Sequence, residues 1–293
     1  MYSTFGVIGG TGLIGAAIVK ALIQQGAKRV VILARKGSSS QPPETEPTDV
    51  VSIVRVDYED SATVVNALSG LEVVISAVGF TMWHLQPGLA DAAKAAGAKL
   101  FVPSEWGIGT SSSKVPAGGL TEHKREIYTH LRSIGLPFCG QYTGFWPDVV
   151  FIPSTGFDLE HGKASVIGDG NTPISWTTRE DAAYFTAYIL THFSAAQLEN
   201  QLLNVEGSKG TENDAIRIIE EVKKIKLEVT RLDAEEVEHD CNEQGMKKIV
   251  EYIGVLAHKG FGDVDNLEGI VANHLIPGWK PLTLEEAIRR YIK

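Results

Sequence analysis

The stretch GGTGLIG at positions 9–15 decides the fold of this chain. It satisfies two spacings at once, GxGxxG and GxxGxxG, between a strand-like apolar run at 5–8 and an amphipathic segment at 13–25. Glycines there permit a tight turn and close approach to a pyrophosphate, while the N-terminus of the next helix faces the anion. The alternative is a plain glycine-rich turn. The predicted dinucleotide contacts are Gly9, Gly10, Thr11, Gly12, Leu13, Ile14 and Gly15.

Strand-length and helix-length segments alternate through the first half of the chain. The strand-like runs are 5–8, 30–33, 51–56, 73–77 and 100–102, and the helical segments are 13–25, 61–68 and 87–96. This alternation predicts an α/β fold, a Rossmann-type doubly wound parallel sheet with helices on both faces. The stretch 36–47 contains three prolines and three serines, so it is expected to form a loop in place of a crossover helix.

The second half is more irregular. The stretch 107–119 precedes a helical segment at 120–134, and its position suggests a lid over a site. A hairpin is expected around 168–171. Later helical segments are 179–192, 212–224, 234–253 and 284–291. We expect two domains, a dinucleotide-binding Rossmann domain at 1–145 and a smaller substrate-binding domain at 146–293, with some segments returning to the first.

Composition narrows the class of partner. The 293 residues carry a net charge of -9 and no basic run, which argues against nucleic acid and acidic membranes and favours small molecules. Cys139 and Cys241 are far apart, and no histidine lies in a recognisable ligand set, so neither a disulfide framework nor a metal is expected. A strand-like run follows Met1 directly and no apolar run is long enough for a membrane span, so a cytoplasmic protein is expected. A homodimer is left open.

The second predicted strand ends in Ala34-Arg35-Lys36. NAD-binding proteins usually carry a carboxylate near this point, on the ribose hydroxyls. A carboxylate would repel a 2'-phosphate, whereas a guanidinium can bind it in a bidentate fork. Arg35 and Lys36 therefore favour NADPH, with an exposed basic pair as the alternative. Asp57, which closes the third strand, is a candidate for the adenine amine, and a turn-capping role is equally favoured.

Two more strand ends should lie beside the cofactor, since ligands bind outside the carboxyl ends of such strands. The fourth strand is followed by Ala77, Val78 and Gly79, and the fifth by Pro103-Ser104-Glu105. Either Ser104 or Glu105 could be catalytic. The alternative is a Pro-Ser turn in which Glu105 bonds backbone donors.

Lys124 is the candidate catalytic residue. It falls near the first turn of the segment 120–134, where the helix dipole disfavours a cation, so another requirement is expected to keep it there. The alternative is an ordinary lysine on an exposed helix face. No tyrosine in the chain precedes a lysine by four positions, so the usual tyrosine–lysine pair of short-chain dehydrogenases is absent.

Several motifs together resemble one family. They are GGTGLIG, VISAVG ending at Gly79, FVPSEWG at 101–107, Lys124 before IYTHLRSIGLPF, and IGDGNTPISWTTREDAAYF at 167–185. In this order they resemble the isoflavone reductase-like and NmrA-like branch of atypical short-chain dehydrogenases. The PSEWG segment is similar to the family's Pro-Ser-Glu-Phe-Gly, and Lys124 aligns with the lysine that its reductases use in catalysis.

The resemblance implies an NADPH-dependent reductase. Hydride would pass to an electron-poor carbon of a small aromatic, often phenolic, compound, and Lys124 would assist proton movement or hold the ribose and nicotinamide. The resemblance adds Tyr142 and Phe145 to the cofactor contacts. It also implies an aromatic-walled substrate pocket formed by Trp83, His84, Trp106, Phe145 and Trp146.

Some positions depart from the family pattern. Plant reductases of the family carry a second lysine for the 2'-phosphate where this chain has residues 38–43, so only Lys36 could substitute for it. The segment 142–145 lacks an asparagine that plant members have, and the loop 107–119 does not match, which leaves the substrate open. The chief alternative is a non-enzymatic regulator of the NmrA type that senses NADP(H) and binds a partner protein. Epimerase or dehydratase chemistry is a third hypothesis.

Overall fold

The computed structural model describes residues 1–39, 41, 49–116 and 121–292. The strands are β1 (Thr4–Ile8), β2 (Arg29–Arg35), β3 (Val51–Val56), β4 (Val73–Ser76), β5 (Leu100–Val102), β6 (Cys139–Tyr142), β7 (Phe157–Asp158), β8 (Lys163–Ile167), β9 (Ile174–Trp176), β10 (Gln201–Asn204), β11 (Ser208–Gly210), β12 (Glu228–Leu232) and β13 (Ile270–Val271). The α-helices are α1 (Leu13–Gln24), α2 (Ser61–Leu68), α3 (Gln86–Ala95), α4 (Glu122–Ile134), α5 (Arg179–His192), α6 (Ala195–Leu198), α7 (Glu212–Lys223), α8 (Ala234–Gln244), α9 (Ile249–Leu256) and α10 (Leu284–Tyr291).

A five-stranded parallel sheet organises the first half of the chain. Its strand order is β3-β2-β1-β4-β5, and every neighbouring pair runs parallel. In the central strand Val7 lies beside Ile32 of β2 and Ile75 of β4. The apolar runs of β1, β2, β4 and β5 are buried almost throughout, as expected for strands covered on both faces. The predicted Rossmann-type fold class is confirmed.

The chain forms two compact units, each built from three segments. The first comprises Met1–Glu105, His123–Gly140 and Ala182–Leu203, and the second comprises Trp106–Glu122, Gln141–Asp181 and Asn204–Lys293. The division into domains at 1–145 and 146–293 stays a prediction. Among the described residues, none of the helices combines the length and the apolar character that crossing a membrane requires.

The second unit has a core of its own. Strand β8 lies between β12, which is parallel to it, and β7, which is antiparallel. A separate antiparallel pair joins β9 and β11. The aromatic residues Phe151 and Trp176 stack with ring centroids 5.7 Å apart, in a buried cluster that also holds apolar side chains of α7 and α10. Burial of such large aromatic side chains stabilises a core.

Two local predictions for the second half were wrong. No hairpin forms around 168–171, because β8 pairs with β7 and β12 while β9 pairs with β11. The expected helix at 234–253 is interrupted, because Gly245 has a φ of 64° and ends α8 before α9 begins. The expected loops are irregular where they are described, at 36–39, 41 and 107–116. Their remaining residues, and Leu120 of the predicted helix at 120–134, lie outside the described part of the chain.

Candidate functional site

The glycine turn joins β1 to α1, and geometry requires glycine at two of its positions, 9 and 15. Gly9 has a φ of +76°, and a Cβ there would lie 2.6 Å from the carbonyl oxygen of Ala77. A Cβ on Gly15 would collide with the carbonyl oxygen of Gly9. Gly12 is the N-cap of α1, and its N–H donates to the Gly9 oxygen at 2.9 Å. The structure therefore depends most on Gly9 and Gly15, whereas a Cβ on Gly10 or Gly12 would meet its nearest atoms at 3.0 and 3.2 Å.

The N-terminus of α1 is suited to an anion. Its first turn contains no acidic residue, and the N-cap offers no side-chain hydrogen bond to the helix amides. Leu13 at the first helical position is 63% exposed, so this end of the helix is open to water. Helix dipole and amide donors stabilise a phosphate at such a place. The predicted residues Gly9 to Gly15 thus form a cradle that fits a pyrophosphate.

Arg35 and Lys36 lie where the sequence predicts them, at the carboxyl end of β2, and both are exposed. The backbone there is held from two directions. The N–H of Lys36 donates to the Val56 oxygen at 2.7 Å, and the N–H of Ser38 donates to the Arg35 oxygen at 2.9 Å. The two basic residues therefore lie on a turn that is held by backbone hydrogen bonds. This turn lies at the carboxyl end of the parallel sheet, where the glycine turn also lies.

Tyr58 is a residue near this edge that sequence reasoning missed. Its hydroxyl donates to the Leu33 oxygen at 2.7 Å, and the N–H of Gly9 donates to the same oxygen at 3.2 Å. Burial raises the pKa of Tyr58 to about 12, against the opposing effects of the Gly9 N–H and of Arg35. The phenol therefore remains a hydrogen-bond donor that ties β2 beneath the glycine turn. No local pattern marks it, because its partners come from other strands.

Asp57 is exposed, and its carboxylate faces the chain's own backbone. Its Oδ1 accepts a hydrogen bond from the N–H of Glu59 at 3.1 Å. Its backbone oxygen also accepts from the Thr63 hydroxyl at 3.2 Å. These bonds match the turn-capping role that the sequence favoured equally, and the contact with adenine stays a prediction.

The ends of β4 and β5 are joined by hydrogen bonds. Ala77 and Val78 are buried, and a Cβ on Gly79 would meet nothing within 4 Å. The Ser104 hydroxyl donates to the Val78 oxygen at 2.7 Å. The sequence therefore brings the predicted residues 77–79 and 103–105 together at one edge, as expected, with the Ser104 hydroxyl bound to backbone.

Gln86, the first residue of α3, is a second residue that sequence reasoning missed. It is fully buried, and its Oε1 accepts the Ser104 N–H at 2.8 Å. Its Nε2 has no hydrogen-bond partner within the described ranges. A buried amide donor without a partner costs free energy, while the bond through Oε1 ties the start of α3 to the segment that follows β5. A glutamine before Pro87 looks like an ordinary helix start, which is why the sequence did not single it out.

Lys124 is buried rather than exposed. Its Nζ donates to the Glu105 carbonyl oxygen at 3.1 Å and lies 3.4 Å from the Glu105 carboxylate. The two side chains are 6% and 1% exposed. The ammonium also stands 4.7 Å from the ring centre of Trp83, within cation–π range. The alternative of an ordinary exposed lysine is therefore wrong. The Glu105 carboxylate is the partner that offsets the unfavourable position of this cation near the start of α4.

The other predicted substrate residue of the first unit, His84, is placed differently. It lies beside Trp83 on the 3₁₀ turn Phe80–Leu85 that follows Gly79, but its side chain is exposed. Adjacent residues of a tight turn point in different directions. Trp83 is the member of this pair whose ring lies beside the Lys124 ammonium.

The remaining predicted residues belong to the second unit. Trp106 and Tyr142 are buried, and the Tyr142 hydroxyl is 2.8 Å from the Ser111 hydroxyl. Phe145 is half-buried, edge-on to Trp176 with ring centroids 5.7 Å apart. Trp146, also half-buried, donates from Nε1 to the Thr143 hydroxyl at 3.1 Å. The N–H groups of Thr143 and Gly144 both bond the Gly107 oxygen, so this unit holds 106–111 against 142–146.

Comparisons with known proteins identify relatives of this chain. The sequence pattern of the NmrA-like family matches residues 1–288. An Aspergillus flavus protein, oxidoreductase aprR, is 31% identical over 238 residues, which cover 78% of this chain and 77% of that protein. A Zea mays protein named isoflavone reductase homolog IRL is 28% identical over 306 residues, 98% of this chain and 97% of the other.

A solved structure extends the comparison to the fold. The binary complex of leucoanthocyanidin reductase with NADPH from Vitis vinifera superposes with a TM-score of 0.79 at 22% identity. The match covers 98% of this chain and 99% of that one. The shared fold therefore covers residues of both units.

The relatives confirm two predictions made from sequence motifs. The resemblance to isoflavone reductase-like and NmrA-like proteins is confirmed, and so is the expectation of an oxidoreductase. The family match begins before the glycine turn and ends within α10, so it includes Lys124 and Glu105. On this evidence the chain belongs to the NmrA-like family.

Proposed function

We propose that this protein is an NADPH-dependent reductase of a small aromatic or phenolic compound, in which Lys124 assists proton transfer. The observation that carries the proposal is the buried Lys124–Glu105 pair, in which Glu105 follows the end of β5 by three residues. This places it at the carboxyl edge of the sheet that also carries the glycine turn. A protein that only binds a dinucleotide needs the turn but has no need for a buried lysine at this edge.

The residues at the edge fit NADPH. The cradle made by Gly9 and Gly15 leaves no space for a Cβ, and the N-terminus of α1 supplies amide donors for a pyrophosphate. Arg35 and Lys36 supply positive charge for a 2'-phosphate, which agrees with the NADPH complex named above. When bound, NADPH supplies the hydride.

Lys124 supplies the complementary proton chemistry. Its ammonium can donate a hydrogen bond or a proton to an oxygen of the substrate as negative charge develops there. The carboxylate and carbonyl of Glu105 fix the position of Nζ, and the carboxylate balances its charge. Trp83 faces the same ammonium and offers an aromatic surface beside it. The names of the maize and grape relatives, which refer to flavonoid-type compounds, support an aromatic substrate.

The test is the substitution Lys124→Met, which keeps most of the side-chain volume and removes the charge. We expect NADPH affinity to stay within about 3-fold, because the glycine turn and Arg35 are untouched. NADPH oxidation with a panel of phenolic enones, ketones and benzylic ethers is expected to fall by about 100-fold or more. The matched control is Lys20→Met on α1, where the lysine is exposed, and its activity should equal that of the wild type.

Two outcomes would contradict the proposal. Unchanged turnover in Lys124→Met would remove the lysine from the mechanism. If no compound of the panel were reduced while a partner protein bound differently to the NADP+ and NADPH forms, the redox-sensing regulator would be the better account. Dinucleotide binding alone does not separate the two, so turnover is the decisive measurement.

A further inference from the structure

Arg55 is a basic residue that none of the motifs includes. It is the next-to-last residue of β3, the edge strand of the parallel sheet, and its side chain is exposed. In the parallel register its Cα lies beside that of Ala34, and Val56 lies beside Arg35. Neighbouring strands are about 5 Å apart, so Arg55 starts one strand away from the basic end of β2.

The side chain of Arg55 reaches toward that basic end. Its Nε donates to the carbonyl oxygen of Ser38 at 2.9 Å. Ser38 closes the turn that begins at Arg35, through its N–H bond to the Arg35 oxygen. The guanidinium of Arg55 therefore stands on the same turn as Arg35 and Lys36, although Arg55 is 17 residues from Ser38 in the sequence.

Arg55 adds positive charge that the residues following Lys36 do not supply. Residues 38–43 contain no lysine or arginine. A 2'-phosphate carries about two negative charges near neutral pH, so one guanidinium balances only part of it. Arg55 brings a further cation to the turn from the neighbouring strand.

We propose that Arg55 is a specificity-determining residue that binds the 2'-phosphate of NADP(H) together with Arg35. A guanidinium has several N–H donors in a planar fork, so bonding Ser38 through Nε is compatible with a phosphate contact through the Nη groups. The inference rests on the proposed function for its cofactor. It differs from that function in assigning the preference for NADP(H) over NAD(H) partly to β3 rather than to the β2 turn alone.

The experiment measures NADP+ and NAD+ binding by isothermal titration calorimetry to the full chain. In Arg55→Gln we expect about a 10-fold loss of NADP+ affinity, since one charged hydrogen bond to phosphate is removed. NAD+ affinity should stay within about 2-fold, because NAD+ has no 2'-phosphate. The matched control is Arg29→Gln, an exposed arginine at the opposite end of β2, which should leave both affinities unchanged.

A second variant separates phosphate contact from loop support. Arg55→Lys keeps the positive charge but lacks the Nε donor that bonds Ser38, and it is expected to retain part of the preference for NADP+. If Arg55→Lys lost as much NADP+ affinity as Arg55→Gln, Arg55 would act only by holding the turn, and the proposal would be overturned. An equal loss of NADP+ and NAD+ binding, or no loss of either, would overturn it as well.

The proposed reductase function can fail independently of this inference. If the wild type bound NADP+ but reduced no compound, while Arg55→Gln still lost only NADP+ affinity, Arg55 would keep its assigned role. In that case the regulator hypothesis would replace the reductase.

Discussion

A buried lysine needs a stated reason, and at position 124 the reason is Glu105. The ammonium and the carboxylate are almost fully removed from water, and the backbone oxygen of the same glutamate takes a second hydrogen bond. Removing two charges from water costs several kcal/mol per ion, which their attraction offsets only when the geometry is maintained. Such a pair is weak evidence for stability. The pair is better explained by its effect on position, because Glu105 holds the Lys124 ammonium at one place at the carboxyl end of the parallel sheet.

The pair gives a prediction for stability. Glu105→Gln leaves the Lys124 ammonium buried without its counter-charge, and we expect the free energy of unfolding to fall by about 3 kcal/mol. The double variant Glu105→Gln/Lys124→Met removes both charges and should recover a large part of that loss. Urea unfolding of the wild type, both single variants and the double variant measures the coupling. A double variant no more stable than Glu105→Gln alone would contradict the assignment of an energetically coupled pair.

At the scale of elements, the turn between β1 and α1 sets the geometry at the carboxyl end of the parallel sheet. The carbonyl of Gly9 lies where a side chain on residue 15 would have to begin, so helix and turn are in direct backbone contact. Backbone atoms cannot move away by changing rotamer. Any residue larger than glycine at position 15 must therefore displace α1 or the turn.

Gly15→Ala is expected to lower the free energy of unfolding by about 2 kcal/mol and to weaken NADP+ binding by at least 10-fold. The control is Gly88→Ala within α3, where a Cβ meets nothing within 4 Å. That substitution should stabilise the protein by about 0.5 kcal/mol, because alanine favours a helix and glycine does not. Thermal unfolding and calorimetric titration of both variants test the contrast. Wild-type behaviour of Gly15→Ala would show that the turn is not closed as described.

Local patterns predicted the elements of the first half well and those of the second half less well. The segment predicted at 61–68 coincides with α2, where the Asp60 side chain caps the first amides. The pairing of β8 and β9 could not be predicted from the turn at 168–171. Both glycines there have positive φ, as a tight turn would require, but β8 finds its partner in β12, about sixty residues later. A turn pattern in the sequence does not show whether a strand much farther along the chain will pair with β8 in place of β9.

At the scale of the whole molecule, the half-buried acid Glu212 makes stability depend on pH. Glu212 begins α7, and burial raises its pKa from 4.5 to about 7, opposed by the attraction of Arg231. The folded state therefore holds this proton more tightly than the unfolded chain does. Its contribution to stability is complete below pH 4.5 and is lost as the pH rises to about 7.

Glu212→Gln removes this dependence. Above pH 7 we expect the variant to be more stable than the wild type by about 2 kcal/mol, a value reduced from the full pKa difference because the side chain is only half-buried. Near pH 4 the two should be nearly equal. The measurement is the urea unfolding midpoint from pH 4 to pH 8, with Glu236→Gln at an exposed position of α8 as the control. A difference that did not change with pH would show that Glu212 titrates normally in the folded protein.

The sequence by itself determined the parallel sheet, the glycine turn, the basic end of β2 and the family. These depend on apolar periodicity, on glycines whose conformations are required locally, and on residues a few positions apart. It also selected Lys124, although only as a cation in an unfavourable place on a helix.

The tertiary structure alone decided what those residues contact. It brought three pairs of residues into hydrogen-bond contact. They are Glu105 and Lys124, 19 residues apart, Gln86 and Ser104, 18 residues apart, and Arg55 and Ser38, 17 residues apart. It also built each of the two units from three separate segments. The physical reason is that these contacts depend on strand order and register, which bring distant strand ends to one edge. No local spacing in the sequence specifies that order.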